Sequence, residues 1–175
     1  MKAGILTASD KGARGEREDR SAHVIRELLT AVGFQVEDYQ VVPDEYSIIK
    51  RMLVRMCMDG LDLVVTTGGT GLGPRDVTPD ATLSVVEKIV PGIGEAMRAA
   101  SLAKTPHAVL SRAVAGVRGK TLIVNLPGSP VACRECLEVI VAALPHAVSV
   151  LRGEVSECSR LREDKDEESG NKDTC

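Results

Sequence analysis

The chain has 175 residues, 43% of them hydrophobic, which is enough apolar material for one domain with its own core. Net charge is −3 and aromatic residues make up 2%, carried by Phe34, Tyr39 and Tyr46, so neither a basic groove for nucleic acid nor a base-stacking platform is expected. Five unevenly spaced cysteines, an N-terminus that turns polar at Thr7, and no apolar run long enough to span a bilayer argue against a disulfide framework and a membrane protein; the expectation is a cytoplasmic chain with reduced thiols.

The opening AGILTAS reads as a buried strand that delivers Ser9 and Asp10 to a loop, and KGARGERED reads as that loop. Asp19 or Ser21 caps a helix whose apolar residues Val24, Ile25, Leu28, Leu29 and Val32 recur at three and four, with Gly33 closing it. Residues 34–42 alternate loosely as a second strand. Pro43 and Asp44 then start a helix carrying Ile48, Ile49, Met52, Leu53 and Met56 on one face. A third, fully apolar strand over 61–67 runs into GGTGLGPRD, a loop by composition, before helical stretches near 79–89 and 92–102. Segments 111–117 and 121–125 flank a GVRGK turn as a hairpin or as two adjacent strands. Leu137, Ile140, Val141, Leu144, Val148 and Leu151 mark a long amphipathic helix.

Strands alternating with helices, the strands apolar throughout, predict an α/β fold: a three-layer α/β/α sandwich with a mostly parallel central sheet over residues 1–153. Ligands in such sheets bind beyond the carboxyl ends of the strands, where Ser9, Asp44, Gly68 and Pro127 fall. From Glu154 to Cys175 charges are dense and apolar residues sparse, so that segment is expected to be a disordered tail.

The run Thr66-Thr67-Gly68-Gly69-Thr70-Gly71 follows a buried strand, and its glycines allow positive φ and close approach of backbone N–H groups to an anion. A glycine-rich strand exit equally serves as a tight turn. The run matches neither GxGxxG nor GxxxxGKS, so neither a dinucleotide fingerprint nor a Walker loop is supported. Asp76 follows the glycines, placed to hold Mg²⁺ against phosphate oxygens, whereas Asp80 reads as a first-turn helix residue. A second polar loop, Asn125-Leu126-Pro127-Gly128-Ser129-Pro130, opens the long helix, whose N-terminus favours an anion. Arg75 and Arg112 lie beside these motifs, although a solvated surface arginine is the commoner case. Cys133 and Cys136 have CxxC spacing inside a helix with no second pair, which favours packing over metal or redox work.

GGTGLGPRDVTPDAT, with VPDE upstream and LSRAVAGVRGKTLIVNLPGSP downstream, resembles the Mog/MoaB family of molybdenum-cofactor biosynthesis, which includes the G domains of gephyrin and its plant two-domain homologue. The resemblance runs from Ile5 through Gly153 in the family's order. It implies a molybdopterin adenylyltransferase that moves AMP from ATP to the terminal phosphate of molybdopterin, with Mg²⁺, in a homotrimer. The family's functional acids map onto Asp44 and Asp76, with Asp76 as the metal-side acid. The nucleotide border maps onto Asn125, Pro127, Gly128 and Ser129 and the pterin side onto Ser101 and Ser111, while Ser9, Gly68, Gly69, Thr70 and Gly71 are phosphate-binding candidates by their place at the strand ends. A MoaB-like binding protein without turnover, and a gephyrin-like scaffold, are the alternatives. The retained RDVTPDAT favours the enzyme.

Overall fold

The computed structural model describes residues 1–154, so the expected tail lies outside the described residues beyond Glu154. Six strands, β1 (Lys2–Ala8), β2 (Gln35–Val42), β3 (Leu63–Thr67), β4 (Lys88–Ile89), β5 (Ala115–Arg118) and β6 (Thr121–Leu126), form one sheet in the order β2-β1-β3-β6-β5-β4. The pairs β1–β2, β1–β3 and β3–β6 are parallel, while β5 runs antiparallel to β6 and to β4. Among the described residues seven α-helices surround it: α1 (Asp10–Ala13), α2 (Arg20–Ala31), α3 (Tyr46–Met58), α4 (Thr78–Leu83), α5 (Pro91–Leu102), α6 (Pro130–Ile140) and α7 (Leu144–Arg152).

Strand side chains alternate between faces, and here both faces are buried. Ile5, Leu63, Val65, Leu122 and Val124 pack with Ile25 and Leu29 of α2, Met97 of α5, Leu137 of α6 and Val148 of α7. On the other face Leu6, Val64 and Ile123 meet Ile49, Leu53 and Met56 of α3 and Ala81 of α4. Two cores with the sheet between them are the three-layer sandwich expected from continuous apolar strands.

The differences from the sequence reading are local. The expected loop after β1 begins with one helical turn, α1, capped by Ser9, whose side chain accepts from Gly12 N at 3.1 Å. The helix expected over 79–89 stops at Leu83. Glu87 N then donates to Val117 O at 2.8 Å and Lys88 and Ile89 pair with β5, so ladder hydrogen bonds displace helix continuation. The long C-terminal helix is interrupted by a 3-10 turn at Val141–Ala143 before Pro145, which has no N–H to donate to a continuous ladder. A further 3-10 turn, Pro106–Leu110, falls where no element was expected. Residues 111–114 carry no strand, and the hairpin begins at Ala115.

Candidate active site

The parallel strands β1, β2, β3 and β6 end along one edge of the sheet. In register, Thr7 stands opposite Thr67, Thr67 opposite Leu126, and Ala8 opposite Val42, so the segments after them emerge side by side. The chain turns to β2 on one side of β1 and crosses to β3 on the other, which makes the gap between β1 and β3 the switch point where α/β sheets bind ligands. Gly68 sits in that gap with φ 93°, and a Cβ there would collide with the Ala8 carbonyl oxygen. Gly69 follows at φ 61°, where a Cβ would lie 2.5 Å from Thr78 Oγ1 and 3.3 Å from Asp44 Oδ1. Both positions therefore need glycine for conformation and for space.

Two cavities open along this edge. The larger, about 790 Å³, is lined among others by Thr7, Ser9, Asp44, Gly68, Gly69 and Ser129. The smaller, about 300 Å³, is lined among others by Thr70, Gly71, Ser101, Ser111, Pro127 and Cys136. The loop after β3 contributes Gly68 and Gly69 to the first and Thr70 and Gly71 to the second, and the loop after β6 likewise divides Gly128 from Pro127. These two strand exits form the partition between the cavities. Gly128 also backs onto Gly68, since a Cβ on it would be 3.4 Å from the Gly68 Cα.

Asp44 and Asp10 are interlocked. Asp10 N donates to Asp44 Oδ2 at 2.9 Å, and Asp44 N donates to Asp10 Oδ1 at 3.0 Å. Arg75 adds a fork onto Asp10, with Nε to Oδ2 at 3.1 Å and Nη2 to Oδ1 at 2.8 Å. Partial burial pushes the Asp44 carboxyl above its ordinary pKa, against the lowering effect of the Asp10 amide. The Arg75 hydrogen bonds, helped by the Asp44 amide, hold Asp10 below its own. Asp76 closes the glycine loop from below: its Oδ2 accepts from Gly73 N at 2.8 Å and would be 2.9 Å from a Cβ on Gly71.

Asp44 and Asp76 thus flank the loop at Gly69 and Gly71. No group of three His, Cys, Asp or Glu able to hold a metal occurs among the described residues. Hard carboxylate oxygens beside the glycine loop nevertheless fit Mg²⁺, which is usually held by one or two carboxylates and completes its shell with phosphate oxygens and water. Thr78, fully buried, has its Oγ1 directed at Gly69 and without a hydrogen-bond partner among the described residues.

The expected nucleotide residues divide. Ser9, Gly68, Gly69, Gly128 and Ser129 do share the larger cavity with Asp44. Thr70, Gly71 and Pro127 face the smaller one instead, beside Ser101 and Ser111. Asn125 requires a correction. It is not in the loop but in β6, fully buried, with Nδ2 donating to Thr66 Oγ1 and Thr82 Oγ1 at 2.9 Å each, so it ties β6 to β3 and α4. Asp76 lines neither cavity and lies against Gly71 and Gly73 of the glycine loop. Ser129 caps α6 by position but makes no side-chain cap hydrogen bond.

Sequence reasoning gives Asp10 no role, although its position, an acid leaving a parallel strand, matches that of Asp44. Arg112 joins Asp80 on the surface rather than a cavity. Cys133 packs as expected: its Sγ donates to Pro127 O at 2.8 Å and burial pushes the thiol to about 11. Cys57, Cys133 and Cys136 are free thiols.

Residues 4–146 match the family model described as a probable molybdopterin binding domain. The chain is 46% identical over 153 residues to a molybdopterin adenylyltransferase of Helicobacter pylori strain J99, covering 86% of this chain and 87% of that protein. Among solved structures it resembles the molybdopterin biosynthesis enzyme MoaB of Thermus thermophilus, with TM-score 0.81 and 54% identity over 87% of this chain and 96% of that one. It also resembles MogA, with TM-score 0.83 and 38% identity over 86% and 99% of the two chains. With most of its length matched by that model and by these relatives, the chain belongs to the molybdopterin-binding family of molybdenum-cofactor biosynthesis proteins.

Proposed function

We propose that this chain is a molybdopterin adenylyltransferase, with ATP in the larger cavity and molybdopterin in the smaller, the reacting phosphates meeting over the Gly68–Gly71 partition. The observation that carries the reading is the partition itself: each strand-exit loop presents one end to each cavity, which is what transfer between two separately held substrates needs. In the reaction a terminal phosphate oxygen of molybdopterin forms a bond to the α-phosphorus. The bond from that phosphorus to the oxygen bridging to the β-phosphate breaks, and its electron pair leaves with pyrophosphate. Backbone N–H groups of the glycine loop orient the phosphates, and the Asp10 interlock keeps Asp44 aimed at Gly69. Mg²⁺ would be held by Asp44 and Asp76 and would supply neutralisation of the converging negative charges.

A homotrimer is the proposed assembly, supported by the family resemblance. The cytoplasm is the proposed compartment, supported by the free thiols. The second reading, a molybdopterin-binding protein without turnover, draws on the family description, which names binding and no reaction.

The cavity assignment is tested by titrating MgATP and molybdopterin separately into two variants. Gly69→Ala places a Cβ against Thr78 and Asp44 and is expected to weaken MgATP at least roughly tenfold while leaving molybdopterin nearly unchanged. Ser111→Ala removes one hydroxyl and should weaken molybdopterin by about 2- to 10-fold with MgATP unaffected. The opposite pattern would exchange the two substrates between the cavities.

A further inference from the structure

The smaller cavity carries two charged groups that none of the sequence motifs marks. Arg98 of α5 and Glu135 of α6 both line it, in a wall that mixes apolar residues such as Met97, Ala108 and Ala113 with the neutral hydroxyls of Thr70, Ser101, Thr105 and Ser111 and the His107 imidazole. The Arg98 guanidinium folds back along its own helix. Its Nη1 donates to Ala113 O at 2.8 Å, and a Cβ on Gly94 would lie 3.1 Å from Nη2. Gly94 lines the same cavity, so the missing side chain there is what leaves space for the guanidinium. Glu135 is fixed from the other side by Lys104, whose Nζ meets Oε1 at 2.8 Å and anchors one carboxylate oxygen. Its side chain is 30% exposed, a position at the cavity's rim rather than in free solvent.

A fixed anionic acceptor and a fixed cationic donor in one small cavity, with apolar side chains and hydroxyls between them, suit a flat heterocycle with donors on one edge and acceptors on another. The pterin ring has this pattern: its 2-amino group and N3–H donate, and its O4 accepts. We propose that Glu135 and Arg98 are the specificity-determining residues for the pterin ring, Glu135 accepting from the 2-amino and N3–H edge and Arg98 donating to the O4 side. This rests on the reading that the smaller cavity takes molybdopterin. Lys104 and Gly94 are then positioning residues, the first holding the carboxylate and the second making room for the guanidinium.

The test compares 6-hydroxymethylpterin with 6-hydroxymethyllumazine, which carries a 2-oxo group in place of the 2-amino group, by calorimetric titration of the full chain, alongside adenylylation of molybdopterin. Replacing a donor by an acceptor opposite a carboxylate should cost wild type roughly 10- to 100-fold in affinity, the range for a hydrogen bond to a charged group. Glu135→Gln, whose amide can accept or donate, should lose most of that preference while MgATP affinity stays unchanged. The wild-type comparison needs no variant to fold. Equal affinity of wild type for the two ligands, with adenylylation intact, would overturn this assignment and leave the proposed function standing. A preference that survives in Glu135→Gln would also overturn it. Failure of wild type both to bind pterin and to adenylylate molybdopterin would overturn the functional reading and this assignment with it.

Discussion

Asp44 holds one carboxylate oxygen on the Asp10 amide and the other toward Gly69, and partial burial raises its pKa above the ordinary 3.8. A carboxyl whose folded pKa is raised binds its proton more tightly in the native than in the unfolded chain. Between 3.8 and the higher folded value, stability therefore falls as pH rises, and at neutral pH the ionised group is a net cost to folding. Asp44→Asn keeps an oxygen for the Asp10 amide and removes that cost, so it is expected to melt no lower than wild type at neutral pH while losing activity. Its partner acid makes the complementary case: Asp76→Asn retains an acceptor for Gly73 N and removes only charge. For each variant adenylylation should fall roughly 100- to 1,000-fold, the scale of losing one electrostatic contact to a transition state. Steady-state kinetics with thermal melts checks both, and near wild-type turnover of either variant would remove that acid from the mechanism. In wild type the acid limb of kcat/KM should be displaced upward from the 3.8 of an ordinary aspartate, in the direction of the raised Asp44.

Among the elements, α7 is tied to the sheet by a well-defined polar contact. Arg152 forks onto Asp62 at 2.9 and 2.6 Å, and Lys2 N donates to the same carboxylate at 2.6 Å, so the C-terminal helix is tied to the start of β1. Burial alone would raise the Asp62 pKa, but the Arg152 hydrogen bonds, the Lys2 amide and nearby positive charge outweigh it and leave it lowered. A lowered folded pKa contributes stability above 3.8 that is lost as pH falls through the folded value. Arg152→Ala leaves a buried carboxylate without its charge partner and should cost about 1–3 kcal/mol at neutral pH, and less at pH values below that transition. Chemical denaturation at two pH values measures both numbers. This contact is invisible in sequence because its partners are 90 residues apart. The elements that periodicity announces, β1, α2, α3 and β3, are those with long apolar stripes on a buried face. β4 escapes because two exposed residues carry no alternation, and the break before Pro145 escapes because apolar spacing continues across it.

Across the whole molecule, the sheet order puts every chemistry-bearing strand exit on one edge, and that much follows from an alternating strand and helix pattern. What the pattern could not convey is that two loops, each a single polar motif in sequence, divide their residues between two cavities. Thr70 and Pro127 pass to the smaller one, and Asn125, polar and next to the loop, turns inward to bind Thr66 and Thr82. Strand parity decides such assignments, and a shift of one residue at a strand end reverses them. The central claim is that an intact AMP unit crosses this partition. It is tested most directly by incubating the purified chain with molybdopterin, Mg²⁺ and ATP radiolabelled at either the α- or the γ-phosphorus. The account predicts that α-label appears on the pterin and γ-label only in pyrophosphate. γ-Label on the pterin, or no label on it from either ATP, would contradict it.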